Sequence, residues 1–330
     1  MARPLNEVIA LRRLARVYRR LLLLAVPAAL AGCGDGGDAL APESAGGPAE
    51  AAPVPDFDVA ASLNRIAFVT RTDNGSDIWR MSATGTSQTR MTSYSGQELA
   101  PIWAPDHSRI AFNRQRSNGL YEIYLMKADG TNGHWALPTA SGFVMNAPSW
   151  APNGKSFLAQ IWVNGPYIGK VDLATGQWTH LAPAGYYGLP GRNPIYSKDG
   201  TWIYYLTQAN KQVRRFQPLG QDVLVKSFTS AVDALALSPD GTRLAYLSYA
   251  TGNNEIYVLT LSTGQIKRLT YDSHQDTDPA WSPDGTRIAF ASDRAAAGTR
   301  QIYTMNSADG GNVIKLTSKT NGVDHPSWYR

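Results

Sequence analysis

The stretch Asp278-Pro-Ala-Trp281-Ser-Pro-Asp-Gly285-Thr-Arg-Ile288-Ala-Phe290 places a turn between two runs of apolar residues. Pro presets φ at the second turn position, Asp accepts the bridge region, and Gly takes the positive φ that strains other residues. The phrase therefore reads as a tight hairpin. It recurs as Ala100-Pro-Ile-Trp103-Ala-Pro-Asp106-His-Ser-Arg-Ile110-Ala-Phe112 and as Ala147-Pro-Ser-Trp150-Ala-Pro-Asn-Gly154-Lys-Ser-Phe157. Looser copies run from Asn193 to Tyr205 and from Ala234 to Tyr246, and a half-copy, His325-Pro-Ser-Trp328, stands last. The Trp position is filled by Trp103, Trp150, Tyr196, Leu237, Trp281 and Trp328, at separations of 47, 46, 41, 44 and 47 residues. That period is the length of a four-stranded propeller blade.

Two further signals recur in each unit. One is an alternating strand, as in Asp77-Ile-Trp79, Glu122-Ile-Tyr124, Glu255-Ile-Tyr257 and Gln301-Ile-Tyr303. The other is a closing strand, Arg90-Met-Thr92, Arg268-Leu-Thr270 and Lys315-Leu-Thr317, reached through turns such as Ala128-Asp-Gly130 and Ala308-Asp-Gly310. The first unit starts at Leu63-Asn-Arg-Ile66-Ala-Phe68, which matches a second strand, while the last residues match a first strand. The expectation is all-β: a six-bladed propeller over residues 61–330, closed by the C-terminal strand pairing into the N-terminal blade, with Trp packed between neighbouring blades. On this reading Asp240 and Asp284 are turn formers, not catalytic acids.

The repeat resembles the TolB-type β-propeller, whose blades share Pro-x-Trp-Ser-Pro-Asp-Gly-x-x-Ile-Ala-Phe, over about residues 60–330. The resemblance implies an α/β domain ahead of the propeller. Here a Gly/Ala/Pro-rich stretch, 33–60, fills that place and reads as a flexible tether. Residues 1–32 carry five arginines between Arg12 and Arg20, then the uncharged run 21–30 with Pro27, then Ala31-Gly32. That order is a secretory signal, too short to span a bilayer. The sole cysteine, Cys33, follows it and resembles the lipidated residue of a bacterial lipoprotein. With Gly34 after it, the resemblance points to the outer membrane or cell surface. One cysteine also excludes an intrachain disulfide and a Cys–Cys metal or redox pair.

The formal charge of +5 resides in residues 1–32, where six arginines face Glu7, so the remainder is neutral. A neutral domain has no basic excess for nucleic acid. The loops leading to each Pro-x-Trp should rim one mouth of the channel. They place there Glu98, Asn146, Arg192, Asp233, His274, Asp276, Asp278, Asp324 and His325, an arrangement that predicts a negatively polarised mouth. Such a mouth could dock a basic peptide or a weak cation, or the same acids could simply cap turns. Asp272, Asp276 and Asp278 offer oxygen ligands to Ca²⁺, but without the Gly and terminal Glu of an EF-hand loop. The five histidines have no zinc-like spacing. Tyr186-Tyr187, in a Gly/Pro-flanked loop, could anchor an interface or stack on a sugar.

Similar propellers occur in prolyl oligopeptidase-type peptidases and in pectate-fragment lyases. No Gly-x-Ser-x-Gly elbow is present and no residues remain for a hydrolase domain. An acidic rim would also repel a uronate. The sequence thus predicts a lipid-tethered, monomeric envelope protein without cofactor or catalysis, binding an envelope protein or peptide at one channel mouth. The alternative is a carbohydrate-binding, lyase-like or metal-binding propeller.

Overall fold

The computed structural model describes residues 64–137, 145–162, 166–183, 191–207 and 209–328. Among them, 24 strands form six four-stranded antiparallel sheets, and no helix occurs. The innermost strands are β24 (Val323–Trp328), β4 (Glu98–Trp103), β8 (Met145–Trp150), β12 (Gly191–Tyr196), β16 (Val232–Leu237) and β20 (Asp276–Trp281). Each touches the next, and β20 touches β24, so they form a closed ring around a channel.

The second strands include β1 (Arg65–Thr72), β5 (Arg109–Gln115), β17 (Arg243–Ser248) and β21 (Arg287–Ser292). Their cores, Ile-Ala-Phe in β1, β5 and β21 and Leu-Ala-Tyr in β17, are buried. A strand sandwiched between two neighbouring sheets is covered on both faces, so its sequence is a continuous apolar run rather than an alternating one. The ring closes as the sequence predicts. β24 pairs antiparallel with β1, with Ile66 opposite Trp328 and Thr70 opposite Val323. Residues 329 and 330 lie outside the described residues.

The recurring phrase is structural in each part. Ser282 Oγ donates to Asp284 at 2.6 Å, the Thr286 amide donates to the same oxygen at 3.0 Å, and Gly285 sits at φ +70°. Ser238, Asp240 and Thr242 repeat this arrangement. The tryptophans bridge blades: Trp281 Nε1 donates to the Ala236 carbonyl at 3.0 Å and Trp150 Nε1 to Ile102 at 3.1 Å. The Arg243 guanidinium stacks on Trp281 at 4.5 Å and reaches the Gly285 carbonyl of the next blade.

The Asp/Glu-Ile and Leu-Thr signals form one device. Thr92, Thr270 and Thr317 accept the Ile78, Ile256 and Ile302 amides on their hydroxyls. The carboxylates of Asp77, Glu122 and Glu255 are buried and meet Arg90, Arg116 and Arg268 at 2.9, 2.5 and 2.8 Å. A carboxylate buried in the third strand therefore finds an arginine from its own blade, which offsets its desolvation.

Candidate functional site

Every inner strand carries a bulge immediately before its Trp position. The bulged residue adopts a left-handed backbone: Ala100, Asn193, Ala234, Asp278 and His325 have φ between 49 and 55°. Four of these five precede proline, which has no amide to give the ladder, so the pairing breaks there. The bulge turns these residues towards the channel. Asn193, Asp233, Asp278 and His325 line a cavity of about 670 Å³, together with Ala100, Ile102, Ser149, Ile195 and Ala280.

The polar residues lie on blades four, five, six and one. Asn193 Nδ2 donates to Asp233 Oδ1, which also accepts the Ala234 amide at 2.8 Å. Thr277 donates to Asp278 at 3.0 Å. His325 Nδ1 donates to Asp324 Oδ1 at 2.8 Å, and Arg71 holds the other Asp324 oxygen at 2.8 Å. Enclosure by the channel wall pulls the His325 pKa down, but the Asp278 and Asp324 charges outweigh it and push the pKa up to about 9. The His325 side chain is about a third exposed. Burial pulls Asp324 upward; His325 and Arg71 outweigh it and hold this carboxyl below its usual range. The facing wall, on blades two and three, is mostly apolar, with Ser149 and Asn113 of β5 as polar members. Asn113 is 5% exposed, and its Oδ1 is buried with no hydrogen-bond partner.

A family model described as the TolB beta propeller domain matches residues 190–330. That stretch holds the last three complete blades and the closing strand. Over these residues the chain carries a TolB-like β-propeller domain. A protein TolB homolog of Chlorobium luteolum is 30% identical over 165 residues, 48% of this chain and 36% of that protein. An uncharacterized peptidase, YuxL of Bacillus subtilis, is 38% identical over 97 residues, 28% of this chain and 14% of that protein. The chain thus spans well under half the length of these curated relatives. The crystal structure of TolB from Acinetobacter baumannii superposes with a TM-score of 0.66 at 25% identity, covering 81% of this chain and 66% of that one.

The TolB-like propeller splits the sequence-predicted mouth residues into groups. Asp233, Asp278 and His325 face the channel, and Asp324 supports His325 from behind. Glu98 and Asp276 do not face it; both are fully buried where their inner strands begin, because the pleat there points side chains between blades. Glu98 accepts from Thr92 Oγ1, and burial pushes its pKa up to about 7 despite that bond. Asp276 is held by two hydrogen bonds from Arg294 at 3.0 Å, and burial still raises its pKa. Arg192 lies half-buried in β12 and His274 sits in the loop before β20, 3.3 Å from Asp272. Asn146 lies on β8, but its side chain is outside the described residues, as are Cys33, the tether and the Tyr186-Tyr187 loop.

The predicted negative field is accordingly thinner than the acid count implies. Asp276 and Asp324 are matched by arginines, burial raises Glu98 to about 7, Asp278 faces the His325 charge, and Asp233 accepts from Asn193. Asp272 and Asp276 clasp the same Arg294, which satisfies them as a cation. Among the described residues no three His, Cys, Asp or Glu side chains converge as a metal site. Sequence reasoning missed Asn193, Asn113, Arg71 and Arg294. Asn193 was findable, since it occupies the same repeat position as Asp278 and His325. Asn113 belongs to a second strand and carries no such signal.

Proposed function

We propose that this TolB-like propeller is an interaction module of the cell envelope, taking an extended basic segment of another protein at one channel mouth. The observation that carries the reading is the pair Asp233 and Asp278. Both face the channel, and among the described residues neither forms an ion pair with lysine or arginine. Carboxylates in a protein-walled cavity gain more from an incoming cation than they would in open water. The opposite wall, Ala100, Ile102 and Ser149, leaves room for a chain. His325, tied to Asp324, moderates the field and favours a segment of mixed polarity over a bare cation. The basic-apolar-Cys33 order supports export and lipid tethering, so that the channel is presented within reach of a membrane.

The test is capture from envelope extract on immobilised protein, comparing the parent with Asp233→Asn/Asp278→Asn. A specific protein retained by the parent and lost in the double variant supports the proposal. Capture indifferent to both changes, alongside saturable glycan binding, would overturn it in favour of carbohydrate recognition. Cys33→Ser should move the protein from the membrane to the soluble fraction.

A further inference from the structure

Two tyrosines stand out on the loops above the acidic side of the channel. Tyr249 is 57% exposed and Tyr271 67% exposed. Tyr249 follows β17 directly. In that strand Leu247 lies opposite Asp233 and Ser248 opposite Val232, so Tyr249 stands just beyond the end of the sheet at which β16 begins. Tyr271 opens the loop that leads to Asp276 and Asp278.

The two loops are joined. Asn253, next to the first, shares its amide protons among the Asp272 carbonyl at 2.9 Å, the His274 carbonyl at 2.6 Å and Glu255 Oε1 at 2.8 Å. The Asn254 amide donates to Gln275 Oε1, and the Gln275 amide to Asp293. Tyr271 is itself pinned: its hydroxyl donates to the Arg268 carbonyl at 2.8 Å, and the Arg268 guanidinium lies 4.7 Å from its ring centroid. These rings are therefore exposed on well-bonded loops. A preorganised aromatic ring loses little entropy when covered, which is why tyrosine dominates contact energies at interfaces.

We infer that the segment entering at Asp233 and Asp278 also carries an aromatic or aliphatic residue near its basic one, seated on Tyr249 and Tyr271. This rests on the channel reading and extends it: the bound chain runs from the channel outward over blade five. Charge complementarity selects a cation for the inner end. The exposed rings select an apolar side chain for the outer end.

A phage-displayed random peptide library panned on the full chain tests this, with the strongest isolate resynthesised and titrated by fluorescence anisotropy. The isolates should pair Lys or Arg with a nearby aromatic or aliphatic residue. Tyr249→Ser/Tyr271→Ser should weaken binding roughly 10- to 100-fold, and Asp233→Asn/Asp278→Asn should weaken it independently. Both tyrosines are exposed, so the variant should keep the parent's circular dichroism and melting. If the Asn variant loses binding while the Ser variant stays within about twofold of the parent, this inference fails and the channel reading stands. Loss in the Ser variant alone overturns the continuity between the two sites. Indifference to both, or glycans bound through the tyrosines with no peptide enriched, overturns both readings.

Discussion

Replacing Trp328 with alanine should open the ring. Trp328 is buried among Ile66, Phe68, Met81, Ala289, Ala291 and Ile302, which come from blades one and six. Truncating a buried tryptophan to alanine costs about 3–5 kcal/mol. The Nε1 bond to Asn64 is lost as well, adding about 1 kcal/mol. The total, about 4–6 kcal/mol, is a large part of the roughly 5–15 kcal/mol that stabilises a domain. Trp281→Ala is the control: it removes the same ring from the equivalent cluster, between blades five and six, but leaves the β24–β1 ladder intact. Guanidinium unfolding should show both variants destabilised by similar amounts. Hydrogen exchange should separate them. In Trp328→Ala the β1 amides that face β24, around Ala67 to Thr70, should exchange much faster than in Trp281→Ala. Equal protection of β1 in the two variants, or a loss below about 1 kcal/mol for Trp328→Ala, would refute the view that this strand seals the ring.

His325 has a folded pKa of about 9, above its ordinary value. Its contribution is therefore complete below about pH 6.5 and fades as the pH rises through 9. Allowing for channel water, that contribution is on the order of 1–2 kcal/mol, so the stability deficit of His325→Gln should shrink across this window when followed by urea unfolding. Glu98, buried and raised to about 7, favours the folded state fully below about pH 4.5 and loses that contribution as the pH rises through 7. Glu98→Gln should accordingly gain on the parent by on the order of 2 kcal/mol between pH 4 and 8; a constant gap between the two would contradict this. Gly310 sits at φ +76°, where an added Cβ would lie 2.1 Å from the Leu269 carbonyl oxygen of the preceding blade. Gly310→Ala should lower stability by about 2 kcal/mol or more, whereas Gly119→Ala, with open space around it, should cost about 1 kcal/mol from strain alone. Thermal melts of the pair would show whether the contact or only the backbone angle matters.

The architecture was legible because its determinants lie close together in sequence and repeat. Variants of Ser-Pro-Asp-Gly set the inner hairpins within four residues, and Trp, or Tyr196 and Leu237 in its place, marks each inner strand at an interval of 41 to 47 residues. Even closure could be read, since Ile66 and Trp328 complete halves of one unit. The site was less legible for two physical reasons. The bulge at Asn193, Asp278 and His325 shifts the alternation, so the channel-facing residue is the one beside proline rather than the acids at the strand start. Glu98 and Asp276 were assigned to the mouth on position alone, and the pleat buries them instead. The second reason is that net charge depends on partners elsewhere in the chain: Arg71 meets Asp324 across 253 residues, and Arg294, in the loop after β21, reaches back to Asp276 at the start of β20. A count of acids cannot see those pairings.

Because β24 completes the sheet begun by β1, the first blade cannot be finished until β24, far downstream in the chain, has been made. Until β24 arrives, β1 waits with one edge unsatisfied, a vulnerable interval for aggregation or proteolysis. Assembly of this ring is thus dominated by a distant pairing, which predicts slow maturation.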